Sequence, residues 1–144
     1  MATHFTLPYE GGLIDKNLPA GILHTYEKIW THVYPESRPA SYAIADFIVN
    51  AINTHQGGLY RLGLSTGSTP TSLYNELARR YRDGKVSFKN VEVVSIDEYY
   101  PISKEAAQSR NHLLHEALLD KVDILKENIH IPDGTLELNQ NILK

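Results

Sequence analysis

Residues 62–77, LGLSTGSTPTSLYNEL, place glycines, hydroxyl side chains and a proline between an apolar run and a helical pattern. The chemistry available there is anion binding. Gly63 and Gly67 let the main chain turn tightly and approach a ligand, while Ser65, Thr66, Ser68 and Thr69 offer hydroxyl donors. Thr69 is placed to cap the next helix, with Pro70 at the first helical position, where no N–H is needed. Free N–H groups and the positive end of the helix dipole then attract a phosphate. No Lys follows the second glycine and the G-x-G-x-x-G spacing is absent, which argues against a nucleoside triphosphate. On local chemistry alone, a polar turn with a good cap is an equal reading. The second stretch is SIDEYYP, residues 95–101, where Asp97 and Glu98 follow directly on an apolar run. A carboxylate fixed at a strand end, beside Ile96 and Tyr99, is a candidate general base, and Asp97 is that candidate. An ordinary solvated loop or turn cap competes with it.

Both stretches need a frame. VEVVSI, residues 91–96, reads as a strand buried on both faces, LYRLGLS as a shorter one, and NIHI as a third, with PDGT turning away from it. Between them run helical patterns. Ser41 is a plausible N-cap for a stripe of Ile44, Phe47, Ile48, Ala51 and Ile52, which Gly57 and Gly58 stop. Leu73, Tyr74, Leu77 and Tyr81 share one face of the next helix, and Leu113, Leu114, Ala117, Leu118 and Val122 share one face of a third, long helix. An earlier pattern from about residue 20 to 34 carries Ile22, Tyr26, Ile29, Trp30 and Val33, with Pro35 and Pro39 breaking it. Residues 1–19 read as an arm and 20–144 as one α/β domain. The expected fold is an open parallel sheet of Rossmann-like βαβ units with helices on both faces. Its ligand crevice lies beyond the carboxyl ends of the strands, where both stretches begin. Only about three strands fit, few for such a sheet. Since the chain also stops at LNQNILK within a further helical pattern, it is expected to be a truncated part of a larger domain, incomplete at its C-terminus.

Composition narrows the partners. The 144 residues carry a net charge of -3, and a run such as ARRYR is too short to make a basic face for nucleic acid or anionic lipid. Arg79, Arg80 and Arg82 in that run read as a solvated helix end. With no Cys there is neither a disulfide framework nor a thiolate metal site, which suits a reducing cytoplasm. The start MATHFTLPYEGG has no signal-peptide pattern and no window approaches a membrane span. His112 and His115 lie one helical turn apart without an evident third ligand, and His130 reads as packed within a strand. A cytoplasmic protein is expected, with a small-molecule ligand, no metal, no cofactor, and no nucleic-acid or membrane partner.

Taken together, LGLSTGSTPTSLYNEL, VSFKNVEVVSIDEYY, SRNHLLHEALLDKVDI and ENIHIPDG resemble, in order and spacing, the amino-terminal half of glucosamine-6-phosphate deaminases. The resemblance covers about residues 40 to 135. It implies conversion of glucosamine 6-phosphate and water to fructose 6-phosphate and ammonia. Ser65, Thr66, Gly67, Ser68 and Thr69 would bind the phosphate, Glu98 would belong with the substrate-binding residues, and Asp97 would take the C2 proton. The family's ring-opening His, and a Lys that helps to bind phosphate, belong to downstream segments that this chain lacks. The fragment alone is therefore expected to be inactive, and its open sheet edge to favour homo-oligomers. The related 6-phosphogluconolactonases typically have Asp-Glu-Arg where Asp97, Glu98 and Tyr99 stand, so the Tyr favours the deaminase. A non-enzymatic sugar-phosphate effector domain would keep the loop and abandon the base.

Overall fold

The computed structural model describes residues 34–136. The expected arm at 1–19, the pattern from residue 20 that holds Trp30, and the LNQNILK tail lie outside those residues. Helix α1 spans Ser37–Thr54 and so begins a turn earlier than a cap at Ser41 predicts. Pro39 is part of it. It lies in the first turn, where a main-chain N–H has no intrahelical acceptor to lose. Ser41 is instead buried on the helix, and its hydroxyl donates to the Ser37 carbonyl at 2.8 Å. The buried stripe runs through Ser41, Ala45, Ile48 and Val49, which leaves Ile44 exposed on its flank.

Strands β1 (Tyr60–Leu64), β2 (Val91–Ser95) and β3 (Ile129–His130) form a parallel sheet in the order β1-β2-β3. Leu62 lies opposite Val93, Leu64 opposite Ser95, and Val93 opposite Ile129. Helix α2 (Thr71–Arg82) follows β1, and α3 (Arg110–Ala117) follows β2. Because strand side chains alternate between faces, Leu64, Val91 and Val93 point to one side. There they join Ile48, Leu77, Phe88 and Leu114 in a single core. The expected α/β class is the one observed, but the described helices share this one core. The outer face carries Arg61, Glu92, Val94 and His130, and Val94 and Ile96 are exposed. β2 is thus buried on one face among the described residues rather than on two.

His130 is likewise not packed: it stands on the outer face with Nε2 3.1 Å from Glu92, which also accepts from Arg61 Nε at 2.6 Å. The third helix is shorter than its apolar pattern predicts. At Leu118 the backbone leaves the helical region (φ -145°, ψ -48°) and passes into one 3-10 turn at Leu119–Lys121. Leu118 and Leu119, at that break, both enter the core. No helix among the described residues is long and apolar enough to cross a membrane.

Candidate active site

Strands β1 and β2 end side by side. Leu64 pairs with Ser95, and the Ile96 N–H donates to the Leu64 carbonyl at 3.1 Å. Neighbouring strands run about 5 Å apart, so the loop after Leu64 and the Asp97-Glu98-Tyr99 tripeptide leave the sheet from adjacent points on one edge. This is the juxtaposition that a ligand crevice in a parallel sheet requires.

Three carbonyls of the first loop are engaged by the helix that follows it. The Ser65 carbonyl accepts from the Tyr74 hydroxyl at 2.5 Å, Gly67 from the Thr71 hydroxyl at 3.2 Å, and Ser68 from the Thr71 N–H at 3.4 Å. Burial pushes the Tyr74 hydroxyl pKa up, against the opposing pull of its bond to Ser65, so it stays a neutral donor. Among the described residues, the N–H groups of Thr66, Gly67, Ser68 and Thr69 have no acceptor. Gly67 makes the turn at φ 115°, a backbone angle that side chains disfavour. Thr69 does not cap the helix as expected. The helix begins at Thr71, with Pro70 already helical ahead of it (φ -81°, ψ -2°), and no side chain occupies the cap. The result is a group of unpaired main-chain donors at a helix N-terminus, suited to an anion. It borders a cavity of about 360 Å³ that is also lined by Tyr74 of α2, Leu113 of α3 and Lys121, a volume in the range of small-molecule sites. Asp97 does not line this cavity.

The second loop carries its two carboxylates differently. Asp97 is half exposed, and its Oδ2 accepts from Arg110 Nε at 3.2 Å. Glu98 is taken up by the start of α3, accepting from the Ser109 hydroxyl at 2.8 Å and from the N–H groups of Arg110 at 2.9 Å and Asn111 at 3.1 Å. Its own loop adds the Tyr99 N–H at 2.8 Å. Burial pushes the Glu98 pKa up, but these four donors outweigh it and hold the carboxyl below its usual range. The contact spans more than ten residues of sequence, so no local capping pattern announces it.

Sequence reasoning also missed Gly134, which it treated as part of a turn. The Gly134 carbonyl accepts from the Ile102 N–H at 2.9 Å. A side chain there would bring Cβ within 2.6 Å of the Tyr99 carbonyl oxygen and 2.8 Å of that of Ile102. Both obstacles are main chain, so Gly134→Ala must move the loop that carries Asp97. We expect it to cost about 1–3 kcal/mol in denaturant unfolding and to lower activity with it. Unchanged unfolding would contradict this.

The remaining candidates are occupied elsewhere. His115 Nδ1 lies 2.7 Å from Asp120 and His112 Nε2 3.9 Å from Glu116, so the two rings have separate partners. Arg79, solvent-exposed as expected, pairs with Glu76 and Asp83, whereas Arg80, expected as solvated, is largely covered and pairs with Glu76 and Asp46.

Residues 36–142 match the family described as glucosamine-6-phosphate isomerases/6-phosphogluconolactonase. The chain belongs to this family. A glucosamine-6-phosphate deaminase-like protein of Bacteroides thetaiotaomicron is 39% identical over 117 residues, 80% of this chain and 18% of its own length. The glucosamine-6-phosphate deaminase of Hahella chejuensis is 45% identical over 73 residues, 51% of this chain and 28% of its own. Among solved structures, a monomeric glucosamine-6-phosphate deaminase superposes with a TM-score of 0.69 at 25% identity, covering 74% of this chain and 44% of that one. A 6-phosphogluconolactonase from Thermotoga maritima, at 23% identity and a TM-score of 0.54 over 67% of this chain and 45% of that one, shares the fold. The chain therefore spans less than half of the length of each of these relatives. The α/β fold is the one that these solved structures share.

Proposed function

We propose that the intact protein converts glucosamine 6-phosphate and water to fructose 6-phosphate and ammonia. Ser65, Thr66, Gly67, Ser68 and Thr69 hold the phosphate, and Asp97 takes the C2 proton of the ring-opened sugar and carries it to C1. Moving that proton turns the aldose into an enolamine and then an imine, which water hydrolyses to release ammonia. Glu98 contributes by fixing α3 against the tripeptide. The observation that carries this reading is the loop of unpaired N–H groups beside a strand-end carboxylate, on neighbouring strands. The names of the relatives support it.

A lactonase is the second reading. The Arg110 guanidinium beside Asp97 sets next to the carboxylate the kind of side chain that lactonases carry in the tripeptide. The deciding experiment supplies the intact protein with glucosamine 6-phosphate and, separately, 6-phosphogluconolactone. Release of ammonia and fructose 6-phosphate is the expected outcome. Cleavage of the lactone alone would replace the deaminase reading, and a shift in melting temperature without turnover would indicate an effector-binding domain. Gly67→Ala, which strains the loop where the phosphate is held, is expected to raise KM for glucosamine 6-phosphate by about tenfold with a smaller change in kcat. An unchanged KM would remove the loop from the site.

A cytoplasmic location and a homo-oligomeric assembly belong to the same proposal. The absence of Cys suits a reducing compartment, and the outer sheet face with Val94 and Ile96 offers apolar surface for association.

A further inference from the structure

We propose that Arg110 is a positioning residue for Asp97, holding one carboxylate oxygen so that the other is presented for proton transfer. The inference rests on the reading of Asp97 as the base. Arg110 is the first residue of α3, where a positive side chain is disfavoured by the helix dipole. Its side chain is nevertheless only 19% exposed, turned back onto the tripeptide. Nε donates to Asp97 Oδ2 at 3.2 Å, Nη2 donates to the Tyr99 hydroxyl at 3.0 Å, and the guanidinium carbon lies 4.3 Å from the centre of the Tyr99 ring. Its main-chain N–H donates to Glu98 Oε1 at 2.9 Å. One residue therefore touches all three members of Asp97-Glu98-Tyr99.

That geometry separates the two oxygens of Asp97. Oδ2 is held by the guanidinium, and Oδ1 has no hydrogen-bond partner among the described residues. Arg110 cannot itself take the proton, because a guanidinium does not deprotonate in proteins. What it supplies is orientation, and a planar fork resting on an aromatic ring supplies more of that than a flexible ammonium does. The order in sequence fits: Glu98 caps the helix, the cap places Arg110, and Arg110 returns to hold Asp97.

The test is steady-state turnover of glucosamine 6-phosphate by the intact protein, with melting temperatures recorded for every variant. Arg110→Ala is expected to lower kcat by about 10- to 100-fold, with KM within about threefold because the phosphate loop is untouched. Arg110→Lys should recover part of that loss. Tyr99→Phe removes only the hydroxyl that Nη2 holds, so it should lower kcat by a few-fold in a folded protein even if Arg110→Ala does not fold. Asp97→Asn is the control. If Asp97→Asn is inactive while Arg110→Ala and Tyr99→Phe keep kcat within about twofold of the wild type, the positioning role is wrong and the base stands. A rise in KM at constant kcat would also overturn it, by making Arg110 a substrate ligand. If the wild type releases no ammonia, the reading beneath it fails instead.

Discussion

Asp97→Asn in the intact protein is expected to lower kcat for ammonia release from glucosamine 6-phosphate by about 10²- to 10⁴-fold. The amide keeps the shape of the carboxylate and can still accept from Arg110, but it cannot take a proton at neutral pH. The loss therefore falls on the proton-transfer step. KM should change little, since the donors of residues 65–69 lie on the other strand end. The check has two readouts: steady-state release of ammonia, and the rise in melting temperature that substrate causes. Lost turnover with a retained rise separates chemistry from binding. A variant turning over at the wild-type rate would remove Asp97 from the mechanism, whatever its position.

The second large effect concerns stability. Glu76 on α2 is 4% exposed, an unusual place for a carboxylate. It survives there because Arg79 approaches with Nη2 at 2.7 Å and Nε at 2.8 Å, and Arg80 with Nε at 2.8 Å. Arg80 then reaches across to Asp46, which joins α2 to α1. Removing the carboxylate leaves Arg80, itself 17% exposed, with less compensation than its desolvation requires. Glu76→Ala should cost about 3–5 kcal/mol in denaturant unfolding.

The same network sets a pH dependence. The Arg79 bonds, aided by Arg80 and opposed by burial, lower the Glu76 pKa from 4.5 to about 2. A carboxyl whose folded pKa lies below its unfolded value stabilises the fold above the unfolded pKa, and that contribution disappears as pH falls through the folded one. Wild-type stability should therefore fall between about pH 4.5 and pH 2, and Glu76→Gln should flatten that part of the curve. Equal slopes in the two proteins would show that other groups govern the acid limb.

Packing explains where sequence reasoning stopped. The patterns around Val93, Leu77 and Leu114 located their strand and helices, because burying an apolar stripe depends on local spacing alone. The same method misplaced Ser41 and Thr69 as caps. Which residue begins a helix also depends on what the preceding turn packs against. Ile44 went to the wrong face for a related reason: the buried stripe of α1 runs through Ser41, Ala45 and Ile48, and Arg80 of α2 pairs with Asp46 on the same helix.

What the sequence by itself determined is the inventory: a loop of glycines and hydroxyls after one strand, Asp97 after the next, and a parallel sheet that sets both at one edge. Period and turn chemistry are local properties that can be read along the chain, and the alternation of strands and helices that they give implies a parallel sheet. Tertiary structure alone decided that Glu98 caps α3, that Arg110 turns back onto Asp97, and that Gly134 supports the loop at Tyr99. Each of those contacts joins residues more than ten positions apart, and their partners are chosen by how the elements pack.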